Sequence, residues 1–222
     1  RREVNVVTLE DPVEVIINGV NQMMVNSKEG ISFADGLRSV MRQDPDVIMV
    51  GEIRDEETAA MAVRAALTGH KVYTTIHSTE PREVYLRLEE MGIKSYLIRE
   101  SLVGIISQRL IKMLCDSCKE EEIITYRGSR AKISKRGIGC EKCNFTGYLG
   151  RALIISINEI TKDVKKKLVK IYDDNTILTN IQMVDNLNNL LINGKISRLD
   201  YMEFIDREEL DFDYEGSFKA ES

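Results

Sequence analysis

The sequence predicts an α/β fold built on a wound, mainly parallel sheet. Short apolar, β-rich runs at residues 4–9, 47–50 and 72–76 alternate with segments that have helical periodicity. Alternation of this kind favours parallel strands joined by crossover helices. We therefore place an α/β core at residues 1–108.

Helix boundary signals support each predicted crossover. Ser32 and Asp35 form a variant of the capping box, and Pro45 ends the helix that they open. Asp55 is suited to cap an alanine-rich helix that Gly69 ends. These signals enclose the strand at 47–50 between two helices.

Three further elements are predicted in the same part. Asn18-Gly19, within the β-rich stretch 13–26, is typical of a hairpin turn. Pro81 is suited to open a helix. A longer helix is predicted over about residues 95–113.

The character of the chain changes near residue 109. Residues 109–150 contain all four cysteines and form a predicted zinc subdomain. Residues 151–222 form a predicted helical C-terminal subdomain, and an acidic tail begins at Asp211.

Composition narrows the class of protein. The 222 residues are 43% hydrophobic and 30% charged, as in soluble globular proteins, and the net charge of −5 argues against a nucleic-acid partner. No apolar run is long enough to span a membrane. The first residues lack a signal-peptide apolar region, so we expect a cytoplasmic protein. They begin in mid-domain, so we also expect an N-terminally truncated chain.

Acidic residues follow two predicted strands. Glu52 comes just after 47–50, and Glu10 and Asp11 follow the first strand. Ligands of parallel sheets bind at the carboxyl ends of strands, where one carboxylate could hold Mg²⁺ and another could polarise a water. The alternative is two unrelated turns, with Glu52 capping the next helix or pairing with Arg54.

The two histidines of the chain lie close together in sequence. His77 follows the strand at 72–76, so it is predicted at the same edge as Glu10 and Glu52. A histidine there could stabilise a γ-phosphate. The alternative is a histidine that serves only the core or the surface.

Two identical C-x-x-C pairs, 21 residues apart, predict a tetrahedral zinc site. The central spacing lies just outside the usual 15–20 residues. A redox pair or exposed thiols would not explain two identical pairs. The predicted zinc ligands are Cys115, Cys118, Cys140 and Cys143.

A basic stretch separates the cysteine pairs. Residues 127–136 carry five basic residues and no acid. They are interpreted as a solvated loop or as a contact for an acidic partner or anionic lipid. A nucleic-acid contact is disfavoured because the stretch lacks aromatic residues.

The motifs together resemble those of the type II secretion and type IV pilus assembly ATPases. "TLEDPVE" (8–14) resembles their aspartate box, "RQDPDVIMVGEIRDEETA" (42–59) their Walker B segment, and "ALTGHKVYTTIHS" (66–78) their histidine box. The resemblance continues through both cysteine pairs. Assembly and secretion members carry a tetracysteine insert that retraction members typically lack.

The resemblance implies a RecA-like fold, ATP and Mg²⁺ as ligands, and a homo-hexamer on the cytoplasmic face of the inner membrane, bound to a platform protein. Glu52 would be the Walker B acid on Mg²⁺, and Glu10 would activate the attacking water. The remaining nucleotide-binding residues would be Asp11, Arg54, His70 and His77.

No P-loop motif, G-x-x-x-x-G-K-[ST], is present in these residues. The single Gly-Lys, at Gly194-Lys195, precedes Ile196, and Asn189 stands at the first glycine position. In the family the P-loop lies upstream of the aspartate box. We therefore expect the C-terminal portion of such an ATPase, with negligible hydrolysis by this chain alone. The alternatives are a catalytically inactive zinc-bearing interaction module and a zinc-ribbon nucleic-acid binder.

Overall fold

The computed structural model describes residues 4–26, 31–126, 129–174, 176–210 and 218–219. The chain divides into two units, and each is assembled from two segments of sequence. The first unit contains Arg1–Val103 and Ile160–Ile177, and the second contains Gly104–Glu159 and Leu178–Ser222. The divisions predicted at 108 and 150 therefore do not coincide with the limits of these units.

The first unit contains a four-stranded sheet in the order β2-β1-β3-β4. Its strands are β1 (Val6–Glu10), β2 (Asn21–Met24), β3 (Val47–Val50) and β4 (Lys71–Thr74). All three pairings are parallel, which confirms the predicted sheet. Val7, Leu9, Ile48 and Val50 are buried in it.

The α-helices among the described residues of the first unit are α1 (Phe33–Val40), α2 (Glu56–Leu67), α3 (Pro81–Glu90), α4 (Ser95–Ser101) and α5 (Lys162–Lys167). The predicted capping box is confirmed, since the Asp35 backbone N–H donates to Ser32 Oγ at 3.1 Å. Asp55 caps α2 as predicted. A Cβ at Gly36 would lie 2.7 Å from a Leu9 methyl group, so a larger residue there would force the Leu9 side chain to shift, and glycine suits the close approach of α1 to β1.

The predicted hairpin around Asn18-Gly19 is wrong. Gly19 does occupy a turn, with φ of +85°. However, the strand that follows it, β2, runs parallel to β1 and starts at Asn21. A turn signal reports a local change of direction and does not determine which strand the chain then joins.

The predicted helix over 95–113 is also wrong. The helix α4 ends at Ser101, and β5 (Gly104–Leu114) follows. Burial alternates along β5, with Ile105 and Ile111 inside and Ile106 and Leu110 exposed. Isoleucine and leucine residues this closely spaced fit the periodicity of a helix as well as that of a strand. Pairing with another strand is what makes this segment a strand.

The second unit combines a long ribbon, a smaller sheet and two helices. The antiparallel ribbon joins β5 to β8 (Tyr148–Glu159), which was not predicted. The smaller sheet has β6 (Glu120–Tyr126) between β7 (Ser129–Lys135) and β9 (Phe218–Lys219). The helices α6 (Gln182–Ile192) and α7 (Arg198–Arg207) lie within the stretch 151–222 that was predicted to be helical, but residues 151–159 of that stretch belong to the strand β8.

An apolar cluster joins β5, β7 and β8 to the two helices. Ile133 of β7 and Ile154 of β8 pack with Leu187 of α6 and Phe204 of α7. Within the described ranges, every helix is too short or too polar to span a lipid bilayer.

The basic stretch between the cysteine pairs is a strand over its described residues and not a solvated loop. Lys132 and Lys135 of β7 form ion pairs with Glu121 and Glu120 of β6. The positive charge is therefore partly matched by a neighbouring strand. Residues 127–128 of the predicted stretch lie outside the described part of the chain.

Candidate active-site edge and metal centre

The two predicted carboxylates emerge from neighbouring strands at one edge of the sheet. β1 and β3 pair in parallel with Leu9 opposite Val50, so Glu10 and Glu52 follow at nearly the same level. The Gly51 N–H donates to the Leu9 carbonyl at 2.8 Å and continues the pairing past β3. A Cβ at Gly51 would lie 3.1 Å from that carbonyl oxygen, so glycine suits this close approach.

Glu52 is held between two cationic or potentially cationic side chains. Arg54 Nε donates to Glu52 Oε2 at 2.6 Å, and His77 Nε2 lies 3.6 Å from the same oxygen. The Glu52 side chain is 15% exposed, whereas His77 is 85% exposed. Asp55, and not Glu52, caps the following helix. The carboxylate is therefore anchored on one oxygen at an accessible edge.

Glu10 is positioned by polar side chains. Its Oε1 accepts hydrogen bonds from Thr8 Oγ1 at 2.5 Å and from Gln22 Nε2 at 2.9 Å. Within the described ranges, Oε2 has no partner. One oxygen is thus fixed while the other can accept a proton or orient a water. Neither Thr8 nor Gln22 was predicted as a site residue; only the register, which places them opposite each other, reveals their role.

The two histidines lie at opposite ends of β4. His77 follows the carboxyl end, beside Glu52, whereas His70 precedes the amino end. His70 Nδ1 lies 3.0 Å from the Ala65 carbonyl and 3.2 Å from Thr68 Oγ1, at the end of α2. Within one chain, His70 therefore does not join the cluster of Glu52 and His77. Asp11 is exposed next to Glu10.

The four cysteines converge as predicted. Their sulfur atoms all lie within 4.8 Å of one another, and none forms a disulfide. The Cys115–Cys140 and Cys118–Cys143 sulfurs are each 3.8 Å apart, and the Cys140–Cys143 sulfurs are 3.9 Å apart. A tetrahedral zinc ion with Zn–S bonds of about 2.3 Å requires sulfurs about 3.8 Å apart. The sulfur geometry fits a four-thiolate metal site.

Close backbone approach shapes the metal centre. A Cβ at Gly137 would lie 1.7 Å from the Cys118 carbonyl oxygen, so only glycine fits there. Gly139 has φ of +104°, and a Cβ on it would lie 2.5 Å from the Phe145 backbone. These glycines bring the second cysteine pair against the first. The glycine enrichment of this segment therefore has a specific geometric cause.

The thiols of the centre titrate unequally. The backbone N–H groups of Cys140 and Gly147 donate to Cys143 Sγ and lower its pKa to about 6. Burial and the neighbouring thiols raise the pKa of Cys118 to about 12. Four thiolates in so small a volume repel one another, and a bound cation is what allows all four to be ionised together.

The first cysteine turn is tied to the turn between α6 and α7. Lys119 Nζ donates to Asp116 Oδ1 at 2.6 Å and to the Gly194 carbonyl at 3.0 Å. Lys195 Nζ lies 3.2 Å from Asp116 Oδ2. The contacts from Lys119 to Gly194 and from Lys195 to Asp116 join residues distant in sequence, and no sequence pattern indicates them.

The chain belongs to the family described as type II/IV secretion system proteins, whose model matches residues 1–199. This places the carboxylate edge and the cysteine centre in a family of secretion ATPases and confirms the resemblance found in the sequence motifs.

Two curated relatives illustrate the match. The type IV pilus assembly ATPase PilB of Thermus thermophilus is 44% identical over 175 residues, covering 74% of this chain and 20% of the relative. The type II secretion system protein E of Dickeya dadantii is 45% identical over 155 residues, covering 67% of this chain and 31% of the relative. The chain thus spans a third or less of either relative.

Solved structures agree with the fold. The pilus retraction motor PilT with bound ADP superposes with a TM-score of 0.63 and 27% identity over 90% of this chain and 52% of that chain. The Legionella pneumophila ATPase DotB gives a TM-score of 0.61 at 22% identity, which supports the fold alone.

Proposed function

We propose that this chain provides the catalytic carboxylates and the zinc centre of an ATP-hydrolysing motor for type IV pilus assembly or type II secretion. The observation that carries the proposal is the shared edge at which Glu10 and Glu52 follow adjacent parallel strands. Family membership and relatives named as assembly and secretion proteins support the same activity.

The two carboxylates would have different roles. Glu52, anchored by Arg54 and close to His77, would hold Mg²⁺ directly or through water. Glu10, with one oxygen fixed and the other open, would orient the attacking water and accept its proton. His77 would contact the γ-phosphate, with Asp11 and Arg54 near the nucleotide. His70, which lies at the other end of β4, would act on nucleotide only from a different subunit.

The assembly follows from the same family membership. We propose a homo-hexamer on the cytoplasmic face of the inner membrane, working with a membrane platform protein. A P-loop would come from sequence upstream of residue 1, so these 222 residues by themselves would hydrolyse ATP negligibly.

The cysteine centre would hold one structural Zn²⁺ per chain. Four thiolates complete a tetrahedral shell, and no position remains for an activated water. This centre favours an assembly or secretion motor over a retraction motor.

The test uses a version of the protein extended to include a P-loop. Glu10→Gln and Glu52→Gln should each lower ATP turnover about 100-fold or more, while binding of a fluorescent ATP analogue is retained. The matched control is Glu90→Gln, because Glu90 is exposed at the end of α3 and lies outside the three ATPase motifs.

Near-normal turnover in either variant would remove that carboxylate from its role. Absence of turnover in the unmutated extended protein, together with a bound zinc ion, would instead support the inactive zinc-bearing interaction module.

A further inference from the structure

The outer edge of β8 is only partly covered. β8 pairs with β5 on one side, and in antiparallel pairs alternate residues direct both backbone polar groups away from the partner strand. Ile157 is such a residue, because its N–H and C=O bond the side chain of Gln182 at 2.8 and 2.9 Å. By the same alternation, the backbone polar groups of Ile155 and Leu153 also point outward.

A stripe of side-chain amides on α6 runs along this edge. Gln182, Asn186, Asn189 and Asn193 recur every three or four residues and so share one face of the helix. The first two cover the edge: Gln182 bonds Ile157, and Asn186 Nδ2 donates to the Ile155 carbonyl at 3.4 Å. Coverage stops there.

The next outward-facing residue, Leu153, has no such cover. Its backbone N–H and C=O have no hydrogen-bond partner among the described residues. The Asn189 side chain likewise makes no hydrogen bond within that part of the chain. Both line a cleft of about 470 Å³, within the size range of ligand pockets, together with Asn186, Leu190, Asn193 and Lys195. The cleft therefore presents the hydrogen-bonding groups that an added strand would use.

The open end of the ribbon is positively charged. Arg151 of β8 lies opposite Lys112 of β5 in the ribbon, and both side chains are exposed. Neither forms an ion pair with another described residue. Lys195 also lines the cleft, but its Nζ already pairs with Asp116 Oδ2 at 3.2 Å, so the unpaired positive charge comes from Lys112 and Arg151. Acidic side chains on an incoming segment would match this charge.

The outward face of the ribbon indicates which other side chains an incoming segment should carry. Ile106 and Leu110 of β5 lie opposite Ile157 and Leu153 of β8, and all four are about half exposed. A third strand beside β8 would place its alternate side chains on this face. Aliphatic residues at those positions would extend the apolar row.

We propose that the cleft between β8 and α6 binds an extended, acidic segment of a partner protein by strand addition at Leu153, with aliphatic residues at alternate positions of the segment. The proposal depends on the second unit alone and is independent of ATP hydrolysis.

The experiment selects randomised nine-residue peptides displayed on phage against the immobilised 222-residue chain. The expected consensus has acidic residues at one end and aliphatic residues at alternate positions. The best peptide is then synthesised with a fluorescent label, and its affinity is measured by anisotropy for the chain and its variants.

Two substitutions at one position separate backbone from side-chain effects. Leu153→Pro removes only an N–H that faces away from β5, a place where a strand tolerates proline, and should weaken binding about tenfold or more. Leu153→Thr keeps the N–H and removes only part of the exposed apolar row, so it should weaken binding much less than Leu153→Pro does. Asn189→Leu should also weaken binding, and Arg151→Glu should change the preference to basic peptides.

Circular dichroism and thermal unfolding identify any variant that fails to fold. If Leu153→Pro fails, Asn189→Leu and Arg151→Glu carry the test. Failure to enrich any peptide, or peptides that bind all these variants equally, would overturn the proposal. A concentration-dependent dimer that Leu153→Pro abolishes would identify a second copy of the chain as the occupant and would also overturn it.

Discussion

The carboxylate edge of the first unit and the cysteine centre of the second represent two ways of building a site. The edge gathers Glu10, Glu52 and His77 from three strands, and His77 is 85% exposed. The centre gathers four sulfurs within 4.8 Å, and Cys115 and Cys143 are buried. In the proposed function the edge leaves room for nucleotide and Mg²⁺, whereas the centre would surround its metal with four thiolates and leave no free position. A catalytic site needs free positions for its substrate, whereas a structural metal site has all its positions filled by protein ligands.

The largest effect that this comparison predicts concerns the closed shell. Cys140→Ser should abolish zinc binding, which in small zinc modules is linked to about 10 kcal/mol of folding free energy. The cysteine turns should then lose protection from hydrogen exchange, while the strands β1 and β3 keep theirs. Elemental analysis and hydrogen exchange by mass spectrometry measure both.

Ser117→Ala is the matched control, because Ser117 is exposed between two ligands and is not itself a ligand. The extent of unfolding would show how much of residues 115–150 depends on metal for its folding. Because Ile133 packs into the apolar cluster of the second unit, β7 should stay protected. Protein that binds no zinc under reducing conditions would contradict the zinc assignment.

A second prediction separates the two histidines of the open edge. In the version extended to include a P-loop, His77→Ala should lower ATP turnover on the order of 100-fold, because His77 lies beside Glu52. His70→Ala should instead cost about 1 kcal/mol of stability through its lost bond to the Ala65 carbonyl. Turnover assays and chemical denaturation distinguish the two effects.

Equal losses of turnover for both histidine variants, with unchanged stability, would show that His70 also reaches the nucleotide. Since His70 lies at the far end of β4 within its own chain, that outcome would require contact from a second subunit.

The smallest predicted effect lies near the metal centre and depends on pH. Tyr148 Oη donates to Asp200 Oδ1 at 2.7 Å, and burial together with this carboxylate raises the pKa of Tyr148 to about 12. Its hydroxyl therefore stabilises the fold fully below pH 10, its ordinary pKa, and this gain is lost as the pH rises to 12.

Tyr148→Phe should accordingly cost about 1 kcal/mol of unfolding free energy at pH 8. The difference from the unmutated chain should shrink between pH 10 and 12, as urea unfolding at a series of pH values would show. Ser156→Ala, at a buried hydroxyl on the same strand, should show no such shrinkage. A difference that stays constant with pH would contradict the role of the Tyr148–Asp200 bond.

Sequence alone predicted the features whose signals are local. The strand Val47–Val50, the caps Ser32 and Asp55, and the convergence of four cysteines are all observed as predicted. Each depends on neighbours within a few residues or on a ligand set that only one geometry satisfies. The order of the motifs along the chain was equally informative, because that order is specific to the family even though no single motif is.

Only the tertiary structure decided what depends on pairing between distant segments. It made residues 104–114 a strand, directed the chain after Gly19 into a parallel strand, and set His70 and His77 at opposite ends of β4. It also placed Gln22 against Glu10 and left Leu153 uncovered beside α6. Strand pairing and register arise from contacts between distant parts of the chain, and no local sequence pattern records which partner a strand will find.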